Sequence, residues 1–308
     1  MIFHVYANQS NAGDWLAARG IQSLLQPHAV RDLFCDTPFV ADTMRELAQA
    51  GPEDFVIIGG GGLLMDYFRP FWEKFLTAAV EVPFGLWGIG LCDHKHAPSQ
   101  LPPALLRRIV QTSKLCFVRD ELTRAALSEF HLPEPAPCPA LVAVAPRTGA
   151  RGQLLHVDHF ELLGPSNYQR IVRAAQEFAQ RTGRVYRQCN NRIGKGQWFA
   201  VESILNLYAS ADIVLSSRLH GCVIALAIGR PVLAISGDRK IESFMRAAGL
   251  GDWVLDLAQL DLLPDRLAAL SSQRVPDDFV QRARERNVCI AQKFLEAIES
   301  HAKQAKAA

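Results

Sequence analysis

The segment Ser216–Gly221 carries an arginine and a histidine where an apolar strand gives way to an apolar helix. In a parallel α/β fold, strand carboxyl ends and helix amino termini meet at the ligand-binding edge of the sheet. Arg218 offers a planar guanidinium that suits a phosphate or a carboxylate, and His220 can exchange a proton near neutral pH. The segment therefore predicts an anion site with an acid/base group beside it.

The neighbouring residues predict how this helix begins and ends. Ser217 can cap its amino terminus, which places Arg218 and His220 in the first turn. Gly229 can take the left-handed conformation after the last turn, and Pro231 prevents the helix from continuing. Taken alone, the triplet is equally compatible with a structural ion pair of Arg218 and a backbone hydrogen bond of His220.

Three further segments with polar or glycine residues follow strand-like runs. Gly59–Gly62 comes after a buried-looking strand and is typical of a turn whose amides, at Gly60 and Gly61, face a ligand. It lacks the GxGxxG spacing and the Walker lysine, which disfavours dinucleotide and P-loop binding. Asn11–Asp14 and Arg119–Asp120 occupy similar positions, and the structural alternatives are a packing turn, a helix cap and a surface ion pair. Because all these segments lie at strand ends, we expect them to converge on one face.

Short β-type runs alternate along the chain with segments of helical period, which predicts doubly wound parallel sheets. The first half contains predicted strands at residues 1–7, 55–62, 83–91 and 114–120, and predicted helices at 14–25, 42–50, 71–80, 102–111 and 121–130. The second half contains predicted strands at 154–158, 184–189, 211–216 and 231–236, and predicted helices at 167–181, 201–210 and 218–228. The predicted fold class is α/β with two Rossmann-like domains.

A proline-rich stretch at residues 131–149 separates the halves and is typical of a linker. We predict an N-terminal domain at residues 1–137, a second domain at 138–276, and a C-terminal helix at 277–308 that packs back on the first domain. The helix has an apolar face marked by Val280, Ala283, Val288, Ile290, Phe294 and Ile298. A ligand cleft is expected between the two domains.

Composition narrows the functional classes. The 308 residues contain 33 Lys plus Arg against 31 Asp plus Glu, a balance that argues against a nucleic-acid partner. Seven scattered cysteines without CxxC spacing predict buried, reduced thiols rather than disulfides or a structural zinc. The amino terminus lacks a signal-like pattern and no apolar run is long enough to span a bilayer, so we expect a cytoplasmic protein. Peripheral association with the inner face of the membrane stays open.

The order of the motifs carries a resemblance. They are NxGD at Asn11–Asp14, GGGGLL at Gly59–Leu64, RD at Arg119–Asp120, and SxRLHG within Ala211–Lys240, which is the most specific segment. This order resembles the polysaccharide pyruvyl transferase family over most of the chain. The resemblance implies a glycosyltransferase-B-like arrangement of the domains. It also implies transfer of a pyruvyl group from phosphoenolpyruvate, as a ketal, to a sugar of a bacterial-type exopolysaccharide or cell-wall glycan, with no cofactor and no metal.

Carried over by position, the resemblance implies that Arg119 and Arg218 are donor-site arginines and that His220 is the histidine of the family's RLH motif. The roles of the other residues are our own hypothesis. The predicted donor-site residues are Arg119, Arg218, Lys240, Ser217, Gly60 and Gly61. The predicted catalytic residues are His220, as general acid/base, and Asp14. Predicted acceptor contacts are Asn11, Gly13 and Arg192, the last from the polar loop 190–198, which is equally compatible with an ordinary exposed connection. Whether Lys240 and Asp14 reach the site is left open by the sequence.

Other interpretations stay open at this point. His156, Asp158 and His159 follow a predicted strand, and we expect them to line a cleft rather than to bind a metal. A nucleotide-sugar glycosyltransferase of the same architecture is an alternative, and so is a noncatalytic anion-binding or glycan-binding relative. The saccharide acceptor, its possible attachment to a lipid and the oligomeric state are not specified by the sequence.

Overall fold

The first half of the chain forms a five-stranded parallel sheet in a computed structural model, which describes residues 1–7, 10–78, 82–95, 100–149, 152–194, 197 and 199–307. Its strands are β1 (Ile2–Tyr6), β2 (Val30–Phe34), β3 (Phe55–Leu64), β4 (Phe84–Leu91) and β5 (Leu115–Val118). The surrounding helices are α1 (Ala12–Leu24), α2 (Val40–Leu47), α3 (Arg69–Thr77), α4 (Pro103–Thr112) and α5 (Glu121–Ala126).

The second half forms another five-stranded parallel sheet after the short helix α6 (Ala140–Ala143). Its strands are β6 (Gln153–Val157), β7 (Val185–Cys189), β8 (Ala211–Ser216), β9 (Val232–Ser236) and β10 (Val254–Asp256). Its helices are α7 (Phe160–Arg181), α8 (Phe199–Ala209), α9 (Leu219–Ile228), α10 (Arg239–Ala247) and α11 (Leu263–Leu270), and the chain continues into α12 (Asp277–Ala307).

The two sheets share one topology. Their strand orders are β2-β1-β3-β4-β5 and β10-β9-β8-β6-β7, so in each the third strand of the domain lies beside the first. All the strand pairs within each sheet are parallel. The second strand of each domain lies on one side of the first and the later strands lie on the other, so the order of strands reverses between β1 and β3 in one sheet and between β6 and β8 in the other. Connections diverge at such points and leave a crevice at the strand carboxyl ends. The predicted α/β class with two doubly wound sheets is confirmed.

Several elements differ from their predictions for local reasons. Strand β2 was missed because its sequence, VRDLF, mixes charged and apolar residues without a clean alternation. Helix α7 begins at Phe160 instead of Asn167, and it is kinked at Gly164 with φ of 71° before Pro165. The predicted helix at 71–80 corresponds to α3, which ends at Thr77, and Val80 lies outside the described residues.

The glycine run is part of strand β3 rather than a turn after it. The strand continues through Gly59–Gly62 to Leu64, and its pairing with β4 changes register between Gly61 and Leu64. Gly60 and Gly61 have φ of 79° and 153°, values that side-chain-bearing residues rarely adopt. The glycines therefore let an irregular strand extend to the crevice. The predicted strand at residues 55–62 is confirmed, and the interpretation of the glycine run as a turn is wrong.

The segment between the sheets is a packed part of the structure. Cys138, Leu141 and Val144 are buried in one hydrophobic cluster with Leu16 of α1 and Val223 of α9. A cluster that spans both domains and their connection resists separation of the domains, because opening it exposes apolar surface to water. The described cysteines form no disulfide; Cys289 is exposed, while Cys116 and Cys189 are half-buried and the others are buried.

Helix α12 packs on the first domain through Phe294. This ring is fully buried and stacks on Trp87 with a centroid distance of 4.8 Å. Trp87 Nε1 in turn donates a hydrogen bond of 3.0 Å to Asn287 Oδ1 on the same helix. Val288, which was predicted on the apolar face, is 44% exposed, so that part of the prediction is wrong. Within the described residues, no helix combines the length and apolarity needed to cross a membrane.

We expect Phe294→Ala to lower the free energy of unfolding by about 3–5 kcal/mol, because it leaves a cavity between α12 and Trp87. Urea unfolding followed by far-UV circular dichroism measures the change. Val288→Ala on the same helix is the matched control and should change stability by no more than about 0.5 kcal/mol. Equal destabilisation by the two substitutions would contradict the packing of α12 through Phe294.

Candidate active site

The crevices of both sheets face one cavity of about 230 Å³. The first domain lines it with residues at or beyond the carboxyl ends of its strands: Ala7, Asn11, Asp14, Asp36, Gly62, Met65, Tyr67, Phe68, Cys92 and Arg119. The second domain contributes His159, Leu162, Ser217, Arg218, Leu219, His220, Lys240 and Ile241. The cavity thus brings together cations, carboxyl groups, imidazoles and two aromatic rings, as expected for a binding site built at strand ends.

Backbone hydrogen bonds join the two domains at two places near this cavity. Residues 10–12 pair with residues 191–193 through two bonds of 2.9 Å. Residues 93–95 pair with residues 237–239 through bonds of 3.2 and 3.0 Å. The cavity walls are therefore fixed relative to each other by main-chain contacts as well as by the shared hydrophobic cluster.

The junction before α9 differs from its predicted cap. The N-cap residue is Arg218, whose backbone N donates to the hydroxyl of Ser216 at 3.1 Å. The hydroxyl of Ser217 instead accepts a hydrogen bond of 2.8 Å from the backbone N of His159. Arg218 Nε donates to the carbonyl O of Asp158 at 2.6 Å, which directs the guanidinium along the cavity wall. The predicted capping by Ser217 is wrong because its side chain joins β8 to the loop after β6.

Arg119 lines the cavity as a buried cation from the end of β5. It is 5% exposed, and its Nε donates to Asp120 Oδ2 at 2.9 Å while its Nη2 donates to the carbonyl O of Leu91 at 3.2 Å. The alternative of a surface ion pair is therefore wrong. Burial opposes the charge, but the carboxylate of Asp120 holds the pKa of Arg119 above its ordinary value.

Lys240 reaches the cavity from the first turn of α10. Its Nζ lies 2.7 Å from Asp238 Oδ2 and 3.0 Å from Cys92 Sγ. Asp238 is fully buried, and its Oδ1 also accepts hydrogen bonds from the backbone N of Lys240 at 3.1 Å and of Asp93 at 3.2 Å. The lysine is therefore held by groups from both domains.

The described residues bring one group of potential metal ligands together, Cys92, His94 and Asp238, with ligand atoms within 4.8 Å of one another. The Lys240 ammonium bonds to Cys92 and Asp238, so two members of this group already hold a cation. His156 Nδ1 is instead paired with a tyrosine hydroxyl at 2.8 Å. The absence of a bound metal stays a prediction.

His220 and Asp14 face each other across the domain boundary, with His220 Nδ1 3.6 Å from Asp14 Oδ1. Burial, reinforced by the cations Arg119 and Lys240, lowers the pKa of His220 to about 3. Burial and the nearby carboxyl of Asp36 raise the pKa of Asp14 to about 7, although the cations oppose this. The expectation that His220 titrates near neutral pH is therefore wrong for this structure. Asp14 is the group that can hold a proton near pH 7.

Gly13 makes the close approach of His220 possible. A Cβ atom at Gly13 would lie 2.3 Å from Cβ and Cγ of His220, far inside van der Waals contact. The backbone N of Gly13 donates to Asn11 Oδ1 at 2.8 Å, which makes Asn11 the cap of α1. Asn11 also lines the cavity, whereas Gly13 does not.

Of the remaining predicted residues, Gly60, Gly61 and Arg192 do not line the cavity. Gly62 is the member of the glycine run that lines it, while Gly60 packs on Ala17 and Gly61 lies beside Asp14. Arg192 does not line the cavity: its side chain is 62% exposed and its Nη2 donates to Glu161 Oε1 at 2.8 Å.

The polar loop at residues 190–198 falls partly outside the described residues, which omit Lys195, Gly196 and Trp198. Asp36 and Tyr67 are among the cavity residues that sequence reasoning missed. Both lie just beyond strand carboxyl ends. Tyr67 follows the predicted strand β3, so its position along the chain was a signal, whereas Asp36 follows β2, which was not predicted.

The sequence matches a protein-family model over a range that contains most of the cavity residues. The family model described as polysaccharide pyruvyl transferase matches residues 11–239, a range that includes Asp14, Arg119 and His220. This chain belongs to the polysaccharide pyruvyl transferase family. Family membership makes the protein an enzyme of the pyruvyl transferase class. No functionally curated protein matches the sequence significantly.

Solved structures that resemble this pyruvyl transferase family member agree on the fold. A UDP-GlcNAc 2-epimerase of Methanocaldococcus jannaschii, in complex with UDP-GlcNAc and UDP, is 10% identical with a TM-score of 0.56, covering 95% of this chain and 99% of its own. MnaA of S. aureus with UDP is 13% identical with a TM-score of 0.54, covering 96% of each chain. Spinosyn rhamnosyltransferase SpnG with thymidine diphosphate is 12% identical with a TM-score of 0.52, covering 95% of this chain and 99% of its own. The predicted glycosyltransferase-B-like arrangement is confirmed.

We expect Asp14→Asn to change how stability depends on pH. The folded wild type keeps a proton on Asp14 that its unfolded chain releases, so burial of Asp14 destabilises the wild type increasingly from about pH 4 to about pH 7. Over this range the free energy of unfolding of the variant should rise relative to that of the wild type, with a slope approaching about 1.4 kcal/mol per pH unit. The lowered pKa of His220 makes stability rise with pH, which is the opposite direction. This effect is the same in the variant and the wild type, so it cancels in the difference between their free energies of unfolding.

Urea unfolding at a series of pH values measures this difference. The matched control is Asp66→Asn, because the side chain of Asp66 is 58% exposed. The free energy of unfolding of this control should depend on pH as that of the wild type does. Parallel curves for Asp14→Asn and the wild type would show that Asp14 titrates normally.

Proposed function

We propose that this protein transfers the pyruvyl group of phosphoenolpyruvate to two hydroxyl groups of a saccharide, which yields a ketal and phosphate. The observation that carries the proposal is the convergence of Arg119, Arg218 and Lys240 on Asp14 and His220 in a pyruvyl transferase family member. A donor with a carboxylate and a phosphate suits several cations, and a reaction that moves two protons suits the acid/base pair.

The arginines can hold the two charged ends of the donor. Arg119 comes from the first domain and Arg218 from the second, and each is anchored by a backbone carbonyl, of Leu91 and Asp158 respectively. Anchored guanidinium groups lose little freedom on binding, so they can orient the reactive carbons of the donor. Lys240 adds a third positive charge that favours the departing phosphate.

The proton balance assigns roles to Asp14 and His220. Asp14 holds a proton near neutral pH and protonates C3 of the enol, which becomes the methyl group. One saccharide hydroxyl adds to C2, the C2–O bond to phosphate breaks, and the second hydroxyl adds to the same carbon. Of the two hydroxyl protons, one replaces the proton lost by Asp14 and the other leaves on phosphate.

Neutral His220 takes the proton from the attacking hydroxyl in this scheme. An anionic donor among the cations offsets their effect on the imidazole and raises its pKa toward the ordinary value, which improves it as a base. We propose that the reaction proceeds without a cofactor in the cytoplasm, on an acceptor that is free or lipid-linked at the inner face of the membrane. The unpaired cysteines support a reducing compartment.

The donor is tested by thermal protection and by turnover. Phosphoenolpyruvate should raise the melting temperature, whereas UDP-sugars and GDP-sugars should not, because only a ligand that binds the folded state shifts the transition. Incubation with phosphoenolpyruvate and hexose-containing glycans should release phosphate only when acceptor is present, with a new ketal methyl signal in the proton NMR spectrum. Protection by nucleotide-sugars alone would instead favour a glycosyltransferase. Binding of phosphoenolpyruvate without turnover on any glycan would indicate a noncatalytic relative.

We expect His220→Ala to lower kcat by about 10²–10⁴-fold, the usual contribution of a positioned proton-transfer group. His28→Ala, at an exposed histidine outside the cavity, should leave kcat unchanged. A His220→Ala enzyme that keeps most of its activity would remove the imidazole from the scheme.

The pH profile tests the role of Asp14. The wild-type kcat/KM should fall above about pH 7, as the acid loses its proton. Asp14→Asn should lose this limb together with most of the activity. Retention of the same limb in the variant would assign the titration to another group.

A further inference from the structure

The charges of the cavity are not evenly distributed. The cations Arg218 and Lys240 come from the second domain, and Arg119 approaches from the end of β5. The carboxyl groups Asp14 and Asp36 lie on the first-domain wall, close enough for Asp36 to raise the pKa of Asp14. An anionic ligand is attracted to the cationic part, which leaves the acidic wall for a ligand that donates hydrogen bonds.

An aromatic ring lies on this acidic wall. Tyr67, just after β3, lines the cavity and is 52% exposed. Phe68 is buried behind it, with the two rings perpendicular and their centroids 4.9 Å apart. The Tyr67 hydroxyl donates to Asp36 Oδ1 at 3.5 Å. A large ring fixed at two places and still open to solvent offers a rigid apolar face with little loss of conformational freedom on binding.

Asp36 is a buried carboxyl group of the cavity wall. It follows β2 and occupies the N-cap position of a short 3₁₀ helix at Thr37–Phe39, yet its side chain makes no capping hydrogen bond. The residue is only 6% exposed and lines the cavity. Each carboxylate oxygen can accept more than one hydrogen bond, so Asp36 can accept one from a ligand hydroxyl beside the partners that it already has.

We infer that Tyr67 and Asp36 form the acceptor subsite, in which a neutral hexopyranose lies with its C–H face on the Tyr67 ring and a hydroxyl donating to Asp36. This inference rests on the proposed function, because it places the acceptor beside Asp14 and opposite the cationic donor region. A sugar acid fits poorly, since its carboxylate faces the carboxylate of Asp36. The predicted acceptor contact Arg192 is paired with Glu161 outside the cavity, and Asn11 is used as a helix cap.

Binding without donor tests the subsite first. Saturation-transfer NMR with methyl glucoside, galactoside and mannoside should detect binding of at least one glycoside to the wild type. The signal should persist in Tyr67→Phe, which keeps the ring, and vanish in Tyr67→Ala. Phe199→Ala removes a 75% exposed aromatic ring outside the cavity and should bind like the wild type. The corresponding methyl uronides should give no signal.

Kinetics completes the test. Tyr67→Ala should raise the acceptor KM about tenfold, the loss expected for one aromatic contact, with the KM for phosphoenolpyruvate unchanged. Pyruvyl transfer with an unchanged acceptor KM in Tyr67→Ala would overturn the subsite and leave the proposed function standing. Tyr67-dependent glycoside binding without pyruvyl transfer to any acceptor would support the subsite and overturn the proposed function. Absence of glycoside binding to the wild type, or equal binding by Tyr67→Ala, would overturn the subsite.

Discussion

The buried carboxylate of Asp238 is the contact on which the cavity depends. It caps α10 through the backbone N of Lys240, binds the ammonium of the same residue, and accepts a hydrogen bond from Asp93 of the other domain. Burial by itself raises the pKa of Asp238, but the adjacent ammonium outweighs this and holds it below its ordinary value. A buried charge without such partners costs several kcal/mol, so the ion pair, the helix and the domain contact support one another.

Burial and the surrounding charges determine the proton states of His220 and Asp14. Arg119 and Lys240 add to burial in keeping His220 neutral, while burial together with Asp36 keeps a proton on Asp14. Paired titratable groups whose environments separate their pKa values are a common basis for acid and base catalysis at one pH. Here the separation is the reverse of the one expected from side-chain type alone. Burial disfavours the charged form of both groups, and the cations near His220 and the carboxyl of Asp36 near Asp14 act in the same direction as burial.

The fold could be predicted well where periodicity is strong. The apolar strands β3, β4, β8 and β9 and the apolar helix α9 were recognised, because buried parallel strands and buried helices produce long apolar runs. Strand β2 was missed because its mixed composition obscures the period, and the start of α7 was missed because Gly164 and Pro165 resemble a boundary. Two adjacent serines could each bond to the start of α9, and the sequence does not distinguish them. In the structure Ser216 accepts from the backbone N of Arg218, while Ser217 accepts from the backbone N of His159.

The sequence by itself determined the motif order, the α/β class and the candidates Arg119, Arg218, His220 and Asp14, because strand ends are visible as changes from apolar to polar residues. Only the tertiary structure decided which of these groups meet, since contact between α1 and α9 depends on close packing at Gly13. It also excluded Arg192 from the cavity and added Asp36 and Tyr67. Distances, burial and the resulting proton states depend on residues far apart in the chain, and local patterns contain no information about such contacts.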